Sequence, residues 1–135
     1  MIENTSGTQR IIGDCIIPGF PSDQSAYRSE IRGLYTLVLV VEMIKDMWNI
    51  KSGSIKIGCD GLNALQQGMG VDSVHITSKQ RQFDLLSGIQ GYIRDSSITY
   101  IPKHVKGHQD GNIVVSELDR WAITNIEIDL RAKNC

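Results

Sequence analysis

An α/β domain with a mixed sheet is the fold class this sequence predicts, on three observations. Stretches of strand-like and helix-like periodicity alternate along the chain, a β-rich antiparallel element leads the series, and neither an internal repeat nor a low-complexity segment interrupts the order. The length of 135 residues suits one domain with a real core, spanning residues 1–135, because soluble domains cluster at about 100 to 150 residues. With 41% hydrophobic and 21% charged residues, the composition is that of a packed globular protein and excludes a disordered or fibrous chain.

The elements follow from local signals. Thr5-Ser6-Gly7-Thr8 is a turn cluster, and residues 10–17 form a strand marked by Ile11, Ile12, Cys15, Ile16 and Ile17. Pro18-Gly19 ends it, and it reads as the second arm of a hairpin begun at Ile2. After a loop over residues 21–24, Ser25 is placed to cap a helix reaching Trp48, with Ile31, Leu34, Val38, Val41 and the pair Ile44/Met47 at helical spacing. Lys51-Ser52-Gly53 breaks this central helix. Residues 54–59 then alternate Ile55, Ile57 and Cys59 against polar Lys56, the period of a strand, and Asp60 sits at its C-terminal end. Residues 61–67 read as a short helix, 68–73 as a loop, and 78–95 as a second amphipathic helix displaying Phe83, Leu86, Ile89, Gln90 and Ile93. A strand over 98–105 and a polar loop over 106–115 precede a last helix over 116–133. Ser116 stands at its cap position, and Leu118, Trp121, Ala122, Ile126 and Leu130 are among its apolar positions.

Charge and cysteine usage narrow the function classes. A formal net charge of −1 gives the chain as a whole no electrostatic pull on nucleic acid or anionic membranes, so any grip on nucleic acid is local or supplied by neighbours. Cys15, Cys59 and Cys135 are odd in number and far apart, lacking both the spacing of zinc sites and the density of a secreted disulfide scaffold. A reducing compartment is expected, hence an intracellular protein of cytoplasm or nucleus. The longest apolar run, residues 34–41, contains Tyr35 and Thr36 and is far shorter than the roughly 18 residues a membrane span needs. Met1-Ile2-Glu3-Asn4 has neither a basic nor an apolar leader region, and its abrupt entry into fold-like sequence reads as a truncation.

Three acidic stations stand out: Glu30 on the central helix, Asp60 closing a strand, and Asp129 near the C-terminus, with Gly107-His108 upstream of it. Carboxylates delivered from separate elements are how a fold holds Mg²⁺ for phosphodiester chemistry, since the hard cation prefers oxygen ligands and keeps several waters. Each residue also has a plainer role open to it. Asp60 can cap the helix that follows, Glu30 can offset a helix dipole as a first-turn acid, and His108 is either a proton shuttle or an exposed loop histidine. His75 and His104 have less to recommend them and stay outside the site. The final helix carries both Asp119 and Asp129, of which one is expected at the metals; Asn125, four residues before Asp129, shares its face.

Four segments in order carry a resemblance: residues 23–34 (DQSAYRSEIRGL), 58–61 (GCDG), 104–110 (HVKGHQD) and 125–133 (NIEIDLRAK). Together they resemble the ribonuclease H superfamily, and especially the RNase H-like domain downstream of reverse transcriptase in eukaryotic retroelements, over residues 10–133. The resemblance implies an RNase H-like mixed sheet flanked by helices. It also implies metal-dependent hydrolysis of the RNA strand in RNA/DNA hybrids, with two Mg²⁺ or Mn²⁺ ions bound and a reverse transcriptase domain in cis upstream. It assigns Glu30, Asp60 and Asp129 as metal ligands and His108 to product release or proton handling; Asp129 is preferred to Asp119 because the Asn-x-x-x-Asp-x-x-Ala pattern falls on it. The family's first Asp belongs to an N-terminal strand that is missing here, with only 29 residues before Glu30, and Asp14 matches the family's third strand instead. Two divalent ions about 3.5 to 4 Å apart need several carboxylates to offset their repulsion, so the missing one weakens metal binding. Two other functions compete: a decayed, non-catalytic relative binding nucleic acid or protein, and a small α/β binding module whose acids are caps and solvated faces.

Overall fold

The computed structural model describes residues 1–13, 25–70, 78–107 and 118–134. Among them eight elements follow in order: β1 (Ile2–Glu3), β2 (Arg10–Ile11), α1 (Ala26–Met47), β3 (Gly53–Cys59), α2 (Leu62–Met69), α3 (Phe83–Asp95), β4 (Ile98–His104) and α4 (Arg120–Asn134). The α/β content expected from the sequence is present, but the strands among the described residues form two separate pairs instead of one mixed sheet. β1 pairs antiparallel with β2, and β3 pairs parallel with β4. The hairpin arms contribute two residues each, too few for a ladder that outlasts its own turn. The chain divides into two compact units, Gly19–His104 and Met1–Pro18 with Val105–Cys135.

In the central unit, α1 starts where Ser25, in extended conformation, accepts a hydrogen bond from the Arg28 N–H at 3.1 Å, as its sequence position predicts. Ile31, Leu34, Val38 and Val41 form its buried stripe. Met47, expected on that stripe, is instead 71% exposed, because the helix ends there and Trp48 turns out of it with Asn49 at a φ of +53°. α1 packs on α2 and α3, and α2 packs on α3 and β4. The side chains most completely enclosed are Ile31, Val38, Ile57, Leu86 and Ile89. α2 runs to Met69, two residues beyond its expected end, and carries Gly68 into the core. A Cβ there would lie 3.4 Å from Leu34 Cδ1 and 3.6 Å from Ile89 Cδ1, in ordinary contact with α1 and α3. α3 begins at Phe83, later than its periodicity predicts, since Gln82 before it adopts a left-handed φ of +65° and interrupts any helix upstream.

β3 and β4 run in register from Gly53 opposite Ile98 to Cys59 opposite His104, so both strands end at the same edge. A half-buried carboxylate fixes where β4 begins. Glu42 of α1 accepts hydrogen bonds from the Tyr100 hydroxyl at 2.7 Å, from the Ser96 hydroxyl and from the Lys45 ammonium, while Ser96 Oγ also accepts from the Ile98 N–H at 3.0 Å. Burial pushes the Glu42 carboxyl up, but the hydrogen bonds from Lys45, Ser96 and Tyr100 outweigh it and hold the group below the ordinary glutamate range. Burial, and then Glu42, push the Tyr100 phenol up.

The terminal unit holds α4 and the β1–β2 hairpin, which pairs from Ile2 as the sequence reading expects, but its second arm leaves the strand after Ile11 and the rest of the expected strand, residues 14–17, lies outside the described residues. The turn is closed by Asn4, whose N–H bonds the Gln9 carbonyl at 3.0 Å and whose Oδ1 accepts from the Gln9 N–H at 3.1 Å. Arg120 pairs with Glu3, and Arg10 with Glu127 at 2.6 Å, tying both hairpin arms to α4. The expected helix start at Ser116 lies outside the described residues. α4 begins at Arg120, with Asp119 Oδ1 accepting from the Ala122 N–H at 2.8 Å. Among the described residues no helix is long and apolar enough to cross a membrane.

Candidate functional site

Open α/β sheets place their chemistry beyond the carboxyl ends of parallel strands, and Asp60 stands there, directly after β3. The helix-cap position that the sequence offers to Asp60 belongs instead to Gly61. Glu30 comes to the same place from α1. A Cβ built on Gly61 would overlap the Glu30 carboxylate, so glycine at this position is what admits Glu30 to the backbone beside Asp60. Glu30 is the fifth residue of α1, whose first turn holds no acid, and the dipole effect fades beyond that turn. Dipole compensation therefore does not account for it. Burial first, and the Asp60 charge second, push the Glu30 carboxyl above its ordinary range. Two acids from separate elements thus share one strand end at a cost to the ionised form of one of them.

The surroundings hold this arrangement. The Tyr27 hydroxyl donates to Gln67 Oε1 of α2, which also accepts from Gln80 Nε2 at 2.6 Å, and the Gln67 carbonyl accepts from Gln90 Nε2 at 2.7 Å. The first turn of α1 is thereby latched to α2 and to the residues before and within α3. Burial and then Glu30 push the Tyr27 phenol up. Burial also pushes the Cys59 thiol up to about 11, against a backbone hydrogen bond at Gly61, with the Asp60 and Glu30 charges adding to the rise. A thiol of that acidity is neutral at physiological pH and is no nucleophile.

His104, left outside the site by the sequence reading, lies beside it, with Nε2 3.1 Å from the Asp60 carbonyl oxygen. Nothing local in the sequence signals this. The juxtaposition follows only from the parallel register that sets His104 opposite Cys59. Of the other expected residues, His108 and Asp14 lie outside the described residues. Asp129 is half-buried on α4 in the terminal unit, one turn beyond Asn125, while Asp119 is occupied as the cap of that helix.

Among the described residues, no group of three or more His, Cys, Asp or Glu side chains is placed to hold a metal ion. The pair that does gather consists of hard oxygen donors. That suits Mg²⁺, which commonly takes one or two carboxylates and completes its shell with water and substrate phosphate. Comparison with protein-family models, with curated proteins and with solved structures finds no match.

Proposed function

We propose that Glu30 and Asp60 form the acidic core of a ribonuclease H-like nuclease that hydrolyses the RNA strand of RNA/DNA hybrids as part of a retroelement protein with reverse transcriptase upstream. The observation that carries this reading is the Glu30 carboxylate seated on Gly61 beside Asp60, at the carboxyl end of a parallel strand. The order of the four family-like segments supports it. Glu30 and Asp60 would hold Mg²⁺ or Mn²⁺, with Asp129 as the further expected ligand. Such ions, when bound, activate water and stabilise the leaving 3′ oxygen in phosphodiester hydrolysis. The chain's own part is to present two oxygens on one backbone seat, with Gly61 leaving room for Glu30 and the Tyr27–Gln67 bond holding the start of α1.

The reading is tested by cleavage of a labelled RNA/DNA hybrid with Mg²⁺ or Mn²⁺, comparing the chain with Asp60→Asn and Glu30→Gln. Metal-dependent cleavage is expected, reduced about 100-fold or more in either variant. Micromolar hybrid binding by a folded chain that does not cleave would replace this function with that of a non-catalytic nucleic-acid-binding relative.

A further inference from the structure

The Asp60–Gly61 peptide is the common seat of both acids: Asp60 belongs to it, and the Glu30 carboxylate lies against Gly61. The β3–β4 ladder cannot hold this peptide, because the register ends one residue earlier, at Cys59 opposite His104. One contact that reaches past the last rung is the His104 imidazole, with Nε2 3.1 Å from the Asp60 carbonyl oxygen. A carbonyl oxygen only accepts, so the proton of this hydrogen bond sits on Nε2. From this geometry we infer that His104 is a positioning residue. Its Nε2–H fixes the Asp60–Gly61 peptide, and through it the orientation of Asp60 and the place where Glu30 docks, so it sets the affinity of the pair for a divalent cation. The metal part of the inference rests on the nuclease reading; the positioning part does not.

A side-chain donor at this point bonds the backbone of the acid it positions. Partners of this kind, one step removed from the ligand, commonly change metal affinity by about 10- to 100-fold. Among the described residues His104 is exposed, and its backbone is paired in the ladder opposite Cys59.

Nitrogen-15 NMR of the full chain labelled at histidine reads the ring directly, and the Nε2–H tautomer is expected for His104. His104→Leu removes the donor, whereas His104→Gln retains an N–H near the same reach. The Gly61 amide resonance is expected to shift in His104→Leu and to return towards its original position in His104→Gln, with both variants keeping the far-ultraviolet circular dichroism of the parent. Titration with Mg²⁺ alone is expected to show affinity about 10-fold weaker in His104→Leu and restored in His104→Gln. An Nδ1–H tautomer, or a Gly61 amide unmoved in folded His104→Leu, overturns the positioning role. Mg²⁺ affinity unchanged in that variant overturns its link to the metal. If the parent chain binds no Mg²⁺, the nuclease reading and the metal link fail together, and the tautomer and Gly61 amide decide the positioning role by themselves.

Discussion

At the scale of single residues, the two glycines that flank α2 do different work. Gly70 ends α2 with a left-handed φ of +65°, where a side chain is strained whatever the space around it. Gly61 has an ordinary negative φ of −76° and is required for room alone, because Glu30 occupies the space of its missing Cβ. Gly61→Ala is therefore expected to leave the fold intact, as read by circular dichroism, while pushing Glu30 away from Asp60. Mg²⁺ affinity should fall about 10-fold or more, and an unchanged affinity would show that the two acids do not act together. Cys59 gives a second residue-scale expectation. With its thiol pushed up to about 11, alkylation at pH 8 in a Cys15→Ser/Cys135→Ser background should run roughly 100-fold slower than for a free thiol and rise with every unit of pH. Labelling at the free-thiol rate would contradict the burial of this strand end.

At the scale of elements, the central helix shows both what was legible in the sequence and what was not. The Ser25 cap and the positions of Ile31, Leu34, Val38 and Val41 follow from local chemistry and a period of 3.6 residues, and the structure agrees with all five. Met47 fits the same period yet is exposed, because periodicity does not mark where a helix outruns the elements it packs on. The late start of α3 had no local signal either, since the left-handed Gln82 has its side chain held by Arg28 from α1, far away in sequence. Asp60 was legible as a strand-end acid and Glu30 as a helix acid, but their meeting over Gly61 is tertiary. So is the approach of His104, which depends on strand register. The contrast predicts unequal costs in urea denaturation. Leu86→Ala, at a fully enclosed position, should cost about 2 to 5 kcal/mol, whereas Met47→Ala should stay within about 0.5 kcal/mol. Comparable losses in the two variants would mean that the end of α1 is covered in solution.

At the scale of the whole molecule, the near-neutral charge of −1 means that stability against pH turns on a few perturbed groups and not on general repulsion. Two glutamates on the same helix are perturbed in opposite directions. The Glu30 carboxyl is raised by burial and by Asp60, so the contribution of its protonated form is fully present below the unfolded glutamate range and is lost as pH rises through the higher folded value. At neutral pH an ionised Glu30 therefore works against folding. The Glu42 carboxyl is lowered on balance, so its contribution is present above the unfolded range and is lost as pH falls through the lower folded value. Glu30→Gln should accordingly melt above the parent at pH 7, with the difference shrinking as pH drops below the glutamate range. Glu42→Gln should melt below the parent at pH 7, its deficit also shrinking in acid as the parent loses the ionised carboxylate that Lys45, Ser96 and Tyr100 hold. Thermal melts of the three chains between pH 7 and pH 3 read both signs in one series. A Glu30→Gln chain less stable than the parent at pH 7 would mean that Glu30 is a structural acid like Glu42. The expected gain in stability, accompanied by loss of Mg²⁺ binding, is what an acid kept for function at the expense of the fold requires.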